Sequence, residues 1–249
     1  MEAEIYLRRI GYSGSLAPSA RTLRNLHRAH LLGVPFENLD IGWKREIRVD
    51  QEAFVEKIVG QRRGGFCYEL NGAFAALLQA LGFRVSLLSA RVPRADGSEG
   101  PEFDHLTLRV DLEQPWLADV GFGDSFIYPL HLQTSIEQEQ FGRRFRIVEE
   151  NQDLRLEKQE AGWKTEYVFN LKPRRLEEFA DMCRYHQTSP QSPFTQKRVC
   201  SMLTSEGRVT LSDRKLICTR NGVREEHLLG SEEEWSAVLE DKFQVRRAK

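Results

Sequence analysis

Residues 62–83 read RRGGFCYELNGAFAALLQALGF, and the chain changes character at their end. From Cys67 onward apolar residues recur at helical spacing. Phe74, Leu77, Leu78 and Leu81 share one stripe, and Gly82 supplies a helix stop. After Phe83 the period shortens from about 3.6 residues to about 2. The runs FRVSLLSARV, HLTLRVDL, PWLADV, RFRIVEE, DLRLEK and TEYVFNL are rich in β-branched and aromatic residues and bounded by Gly, Pro, Asn and Asp. They predict an antiparallel barrel or sandwich.

Upstream of this stretch the chain reads as helices. RTLRNLHRAHLLG at 21–33 places Leu23, Leu26, His27, His30 and Leu31 on one face, and a second helical pattern covers about 51–59. VPFENLDI, between them, has a proline and no helical period, so it reads as a connector carrying apolar residues inward. Downstream, YHQTSPQSPF at 185–194 is a proline-rich connector. RVCSMLTS, RVTLSD, KLICTR and VREEHLL then suggest a small meander with an Asn221-Gly222 hairpin turn. Ser231 and Glu234 make a capping box for a last helix at 232–243. No internal repeat is visible.

With 249 residues, 40% of them hydrophobic and 29% charged, the composition is that of a soluble globular protein. A formal net charge of −1 offers no global attraction to nucleic acid or an anionic membrane. No apolar run is long enough to span a bilayer, and MEAEIYLRRIGYSGS lacks the apolar core of a secretory signal. A cytoplasmic protein is therefore expected, acting as a monomer or weak homo-oligomer. The cysteines at 67, 183, 200 and 218 show no close pairing, which argues against a disulfide framework. Cys183 and His186 have ligand spacing, and Cys200 and Cys218 would complete a structural zinc site. Both lie in strand-like runs with no second close pair, so no metal is expected.

Cys67 raises the chemical question. A cysteine attacks only as thiolate, and a helix N-terminus or a nearby imidazolium lowers the thiol's pKa. Gly64 and Gly65 permit a tight turn that puts Cys67 at a helix start and let a substrate approach the backbone. Of six histidines, His27 and His30 sit on the apolar face of a helix and suit packing. His131, His186 and His227 lie in or beside loops without an evident acidic partner. His105 differs: Leu106, Leu108, Val110 and Leu112 alternate onto one sheet face, which turns His105 to the other at the strand start. Asp119 closes the strand PWLADV and is placed to orient an imidazole. Cysteine at a helix start with His and Asp at strand ends is the arrangement of an acyl-transfer enzyme. The following GFGDS, residues 121–125, offers backbone N–H groups of Gly121 and Gly123 to a phosphate or pantetheine. The loop at 94–102 is a second contact surface for such a group.

VPFENLDI, RRGGFCYELNGAF, FDHLTLRV, WLADVGFG and YHQTSPQSPF, in that order from about residue 23 to 200, together resemble the arylamine N-acetyltransferase family. Residues beyond 200 match no motif of it. The resemblance implies an α+β fold in three parts, related to papain-like thiol enzymes. These are an N-terminal helical bundle (1–82), a central antiparallel β-barrel (83–188) and a C-terminal linker with an α/β lid (189–249). It implies a triad of Cys67, His105 and Asp119, acetyl-CoA as co-substrate, and an aromatic amine as the small-molecule partner. Phe36, Phe122 and Phe194 would line the amine pocket. The implied reaction is ping-pong: an acetyl-cysteine forms, CoA leaves, and an arylamine or arylhydrazine takes the acetyl group. Two alternatives keep the triad: an amide synthase that closes macrolactams from a donor other than acetyl-CoA, and a thiol peptidase.

Overall fold

The computed structural model describes residues 3–94 and 96–246, so position 95 of the 94–102 loop lies outside the described residues. Helix α1 (Ala3–Arg9) precedes α2 (Ala20–Gly33), whose first turn is capped by Ser19. The 34–41 segment is more than a connector. It forms a short strand β1 (Phe36–Glu37) and a single turn α3 (Leu39–Gly42). Helix α4 (Gln51–Val55), capped by Asp50, runs on into a wide π turn at Glu56–Gly60, one residue past the predicted end. Helix α5 (Cys67–Ala80) is buried along nearly its whole length, and Gly82 follows at φ 87°. Leu23, Leu26, Phe54, Ile58, Phe74, Leu77 and Leu78 make the first core.

The sheet runs through β2 (Arg84–Arg91), β3 (His105–Asp111), β4 (Pro115–Ala118), β5 (Leu130–His131), β6 (Gln138–Gln140), β7 (Arg143–Glu150), β8 (Asp153–Gln159) and β9 (Trp163–Phe169). Its order is β5-β4-β3-β2-β9-β8-β7-β6, antiparallel throughout. The two edge strands are tied by side-chain amides. Gln138 exchanges hydrogen bonds with the His131 backbone, and Gln140 receives the amides of Ile127 and Tyr128. The result is a nearly closed barrel. Its inner face carries Leu88, Leu117, Phe145, Ile147, Leu156, Tyr167 and Phe169 as a second core. Leu106, Leu108 and Val110 of β3 face the other way, onto the helical core.

After a 3₁₀ turn at Leu176–Phe179, helix α6 (Ala180–Thr188) contains Tyr185 and His186, which the sequence places in a connector. Its buried positions are only Cys183 and His186, too short a stripe to stand out ahead of two prolines. Then come α7 (Pro193–Gln196), β10 (Val199–Leu203), β11 (Gly207–Ser212), β12 (Lys215–Arg220), β13 (Val223–Leu228) and α8 (Glu232–Phe243). Asn221 and Gly222, both at positive φ, turn β12 into β13. The five strands lie in the order β1-β10-β11-β12-β13, so a piece of the N-terminal segment is the edge of the C-terminal sheet. Leu39, Cys200, Leu211, Trp235 and Leu239 form the third core. No helix among the described residues is long and apolar enough to cross a membrane.

Candidate active site

Cys67 is the first residue of α5, and the two preceding glycines are there for the chain itself. A Cβ on Gly64 would stand 2.0 Å from the Pro35 carbonyl oxygen, and one on Gly65 would meet the Glu69 side chain at 2.7 Å. The space beside both is therefore filled by the protein and not left for a substrate. Glu69 caps the helix by accepting the Phe66 N–H at 3.1 Å.

Beneath this turn lies a buried charge network. Arg63 reaches Glu37 at 2.7 Å and Asp40 at 3.0 Å; Lys57 reaches Asp40 and Glu69, each at 2.7 Å. All five side chains are less than a tenth exposed. Three carboxylates thus share two cations. Burial pushes the Glu69 carboxyl up to about 7, Lys57 opposes the shift and Glu37 adds to it. Breaking one partner of such a set leaves uncompensated buried charge. Arg63→Met is therefore expected to cost about 3–5 kcal/mol of stability. Denaturant unfolding measures it, and a loss under about 1 kcal/mol would show that the network does not hold the turn.

His105 opens β3, and its Nε2 lies 2.6 Å from Asp119 Oδ2. Asp119 is buried and fully engaged. Its Oδ1 accepts from Asn71 Nδ2 at 2.8 Å and from the Gly121 amide at 2.9 Å, and its own N–H donates to His27 Nε2 at 3.1 Å. Burial works to raise the Asp119 carboxyl. The His105 charge and the hydrogen bonds from His105, Asn71 and Gly121 outweigh it and hold the carboxyl below its ordinary range. His27 Nδ1 donates to the Ile127 carbonyl at 2.8 Å, and burial lowers its pKa to about 4, so this histidine is a neutral strut.

The Cys67 thiol departs from the expectation of a low pKa. Burial pushes it well above its ordinary value, a hydrogen bond with the Leu106 backbone opposes this, and Cys183, Asp104 and Asp119 add to the rise. The helix N-terminus alone does not ionise it. A thiolate here requires a cation beside it, and His105 is the group that can become one.

Cys67 and His105 open onto one cavity of about 870 Å³. Phe36, Phe122 and Phe194 all line it, with Tyr185 and His186. The Phe122 ring stands edge-on to His105 with centroids 5.2 Å apart, and Phe36 and Phe194 lie 6.3 Å apart. Gly121 lines this cavity too, but its missing Cβ is explained by Asn71 and the Cys67 backbone at 2.7–2.8 Å. Gly123, at φ 94°, faces a neighbouring cavity.

His186 does have an acidic partner, Asp104, at 3.2 Å, and its Nδ1 meets Ser192 Oγ at 3.1 Å. That pairing depends on chain segments 82 residues apart, which sequence patterning does not join. Asn71 was also missed. It stands one helical turn after Cys67, and its position inside an apolar helix was the available signal. The four residues of the zinc pattern do not converge, because Cys183 belongs to the first core and Cys200 to the third. No group of three or more metal-ligating side chains occurs among the described residues.

These features have close counterparts. A family model described as N-acetyltransferase matches residues 19–248, including the region beyond 200 where no motif was legible. The arylamine N-acetyltransferase of Escherichia coli (strain K12) is 34% identical over 96% of this chain and 86% of its own. The proansamycin X synthase of Amycolatopsis mediterranei (strain S699) is 28% identical over 96% and 95%. The solved structure of Mycobacterium marinum arylamine N-acetyltransferase in complex with CoA superposes with a TM-score of 0.91. It is 30% identical and covers 98% of this chain and 92% of that one. With the fold, the barrel and nearly the full length in agreement, the chain belongs to the arylamine N-acetyltransferase family.

Proposed function

We propose that the protein transfers an acetyl group from acetyl-CoA to the nitrogen of an arylamine or arylhydrazine, in two half-reactions, through an acetyl-cysteine at Cys67. The observation that carries this reading is the opening of Cys67 and of His105, which Asp119 holds from behind at 2.6 Å, onto one aromatic-walled cavity. His105 takes the thiol proton, and Asp119 balances the imidazolium. The Cys67 sulfur attacks the thioester carbonyl. The Cys67 amide, first in α5 and without an intrahelical carbonyl partner, donates to the developing oxyanion. CoA leaves with the proton held by His105. The amine then attacks acetyl-Cys67, His105 accepts its proton, and the thiol is regenerated.

Phe36, Phe122 and Phe194 form the walls against which the aromatic acceptor packs. The backbones of Gly121 and Gly123 are the contacts for the donor's arm and phosphates. Intact-mass spectrometry tests the whole reading: mixing with acetyl-CoA should add one acetyl group, mapped to Cys67. The match to a proansamycin X synthase favours a second reading, with an acyl donor other than acetyl-CoA. An unmodified Cys67 after exposure to acetyl-CoA, with ready acylation by a simple activated ester, would decide for it.

Phe122 separates the two half-reactions. Phe122→Ala removes about 1–3 kcal/mol of apolar contact with the acceptor. Burst release of CoA should stay within a few-fold of wild type, and acetyl transfer to an arylamine should fall about ten- to a hundred-fold. Equal losses in both halves would place Phe122 in support of His105 instead.

A further inference from the structure

Among the described residues that line the Cys67 cavity there is one carboxylate, Asp104, and the chemistry proposed above leaves it without a task. It stands immediately before His105, at the entry to β3. The chain is pinned there: Phe103 sits at φ 65°, and the Tyr68 hydroxyl donates to its carbonyl at 2.7 Å. The Asp104 side chain is 17% exposed and faces the cavity.

Its neighbours do not cancel its charge. The one basic side chain within 4 Å, among the described residues, is His186 of α6. His186 Nε2 stands 3.2 Å from Asp104 Oδ1 but directs its hydrogen bond to the Asp104 carbonyl, at 3.3 Å. Across the ring, Nδ1 meets Ser192 Oγ at 3.1 Å, and that oxygen already accepts the Phe194 N–H at 3.3 Å. A neutral imidazole satisfies this chain, with the Ser192 hydroxyl donating to Nδ1 and Nε2–H donating to Asp104. Protonating the ring would give Ser192 Oγ two donors and displace its own proton, in a side chain that is wholly buried. The pair therefore brings one full negative charge to the cavity. Arg94 also lines it, but that residue is exposed, where water and salt screen its charge.

The walls facing Asp104 include Phe36, Phe122, Phe194 and Met182. A ring packed among them excludes water, so a charged substituent on it meets the carboxylate with little screening. The charge already reaches the thiol, where it adds to the rise of the Cys67 pKa. Resting on the acetyl-transfer reading above, we infer that Asp104 selects the acceptor by charge. An aromatic amine with a cationic or hydrogen-bond-donating substituent is accepted, and one with a carboxylate is refused.

The test uses three anilines of nearly one shape: 4-aminobenzoate, 4-aminobenzamide and 4-aminobenzamidine, respectively anionic, neutral and cationic. In a two-step reaction, kcat/KM for the acceptor reports the second half alone, and dividing by the value for the amide cancels any effect common to Cys67 and His105. On this scale Asp104→Asn is expected to raise 4-aminobenzoate about ten-fold and to lower 4-aminobenzamidine about ten-fold. Asp104→Glu, which keeps the charge, is expected to keep the wild-type order. Ratios unchanged within about two-fold in Asp104→Asn overturn the inference, because Asp104 then only supports the fold around His105. Ratios that move in Arg94→Gln and not in Asp104→Asn overturn it too, by giving the selection to the arginine. Protection of Cys67 from iodoacetamide separates this from failure of the acetyl-transfer reading. In the wild type, 4-aminobenzamidine should protect at about a tenth or less of the concentration that 4-aminobenzoate needs, and Asp104→Asn should close that gap. That result supports selection by Asp104 even where no acetyl group moves. Equal protection by all three anilines in the wild type overturns it even where transfer is intact.

Discussion

Cys67→Ser should leave a folded protein that transfers essentially no acetyl group. The change swaps one atom at a site 3% exposed, so packing is nearly conserved and circular dichroism should match wild type. The chemistry is not conserved. Burial already pushes the thiol well above its ordinary pKa, and a hydroxyl in the same position starts far higher. His105 has no means of removing that proton at neutral pH. Turnover is expected below about a ten-thousandth of wild type, with no burst of CoA. Residual activity within a hundred-fold of wild type would mean that the acetyl group never resides on residue 67.

Asp119→Asn should lower transfer by about a thousand-fold or more, although the side chains are nearly isosteric. The reason lies in donor counting. Oδ1 accepts from both Asn71 and the Gly121 amide, so the carboxamide oxygen must take that place. Its NH₂ group then faces His105 Nε2, where the carboxylate oxygen had accepted. The imidazole is driven to the tautomer with its proton on Nδ1, the nitrogen left for proton exchange with the thiol, and the base is lost. Alkylation of Cys67 as a function of pH reports this directly. The variant should react as a buried, unpaired thiol, and a wild-type profile would reduce Asp119 to a turn residue.

Much of this was legible because it is local. The Gly-Gly-Phe-Cys start of α5, the stripe from Phe74 to Leu81 and the alternation of β3 are each written within a few neighbouring residues. They place Cys67 and His105 without knowledge of the rest. What escaped is non-local. Strand β1 exists because β10, more than 160 residues later, pairs with Phe36 and Glu37. The five-charge network joins Glu37 to Glu69 through three other segments, and no periodicity announces it. The glycines at 64 and 121 were open to a substrate-contact reading, whereas the fold uses the missing Cβ of each for its own backbone. A low thiol pKa was expected from the helix terminus together with a nearby imidazolium; burial, invisible in sequence, pushes the thiol the other way.

Asn71 gives the site a further property. Its amide donates to Asp119 and to the Leu106 carbonyl and accepts the Val120 N–H, so it has no spare group with which to tolerate a shift. It stands four residues from Cys67, on the same face of α5. One rigid rod therefore carries the proposed nucleophile, Cys67, at one turn and, at the next, the gauge that sets the position of Asp119 on the barrel. Slipping that rod by one residue, about 100° of rotation, would withdraw both together. Misalignment cannot yield a half-assembled centre with an activated sulfur and no orienting acid. On the acetyl-transfer reading the thiol is armed only where helix and barrel are in register, so errors of docking would produce silence and not stray reactivity.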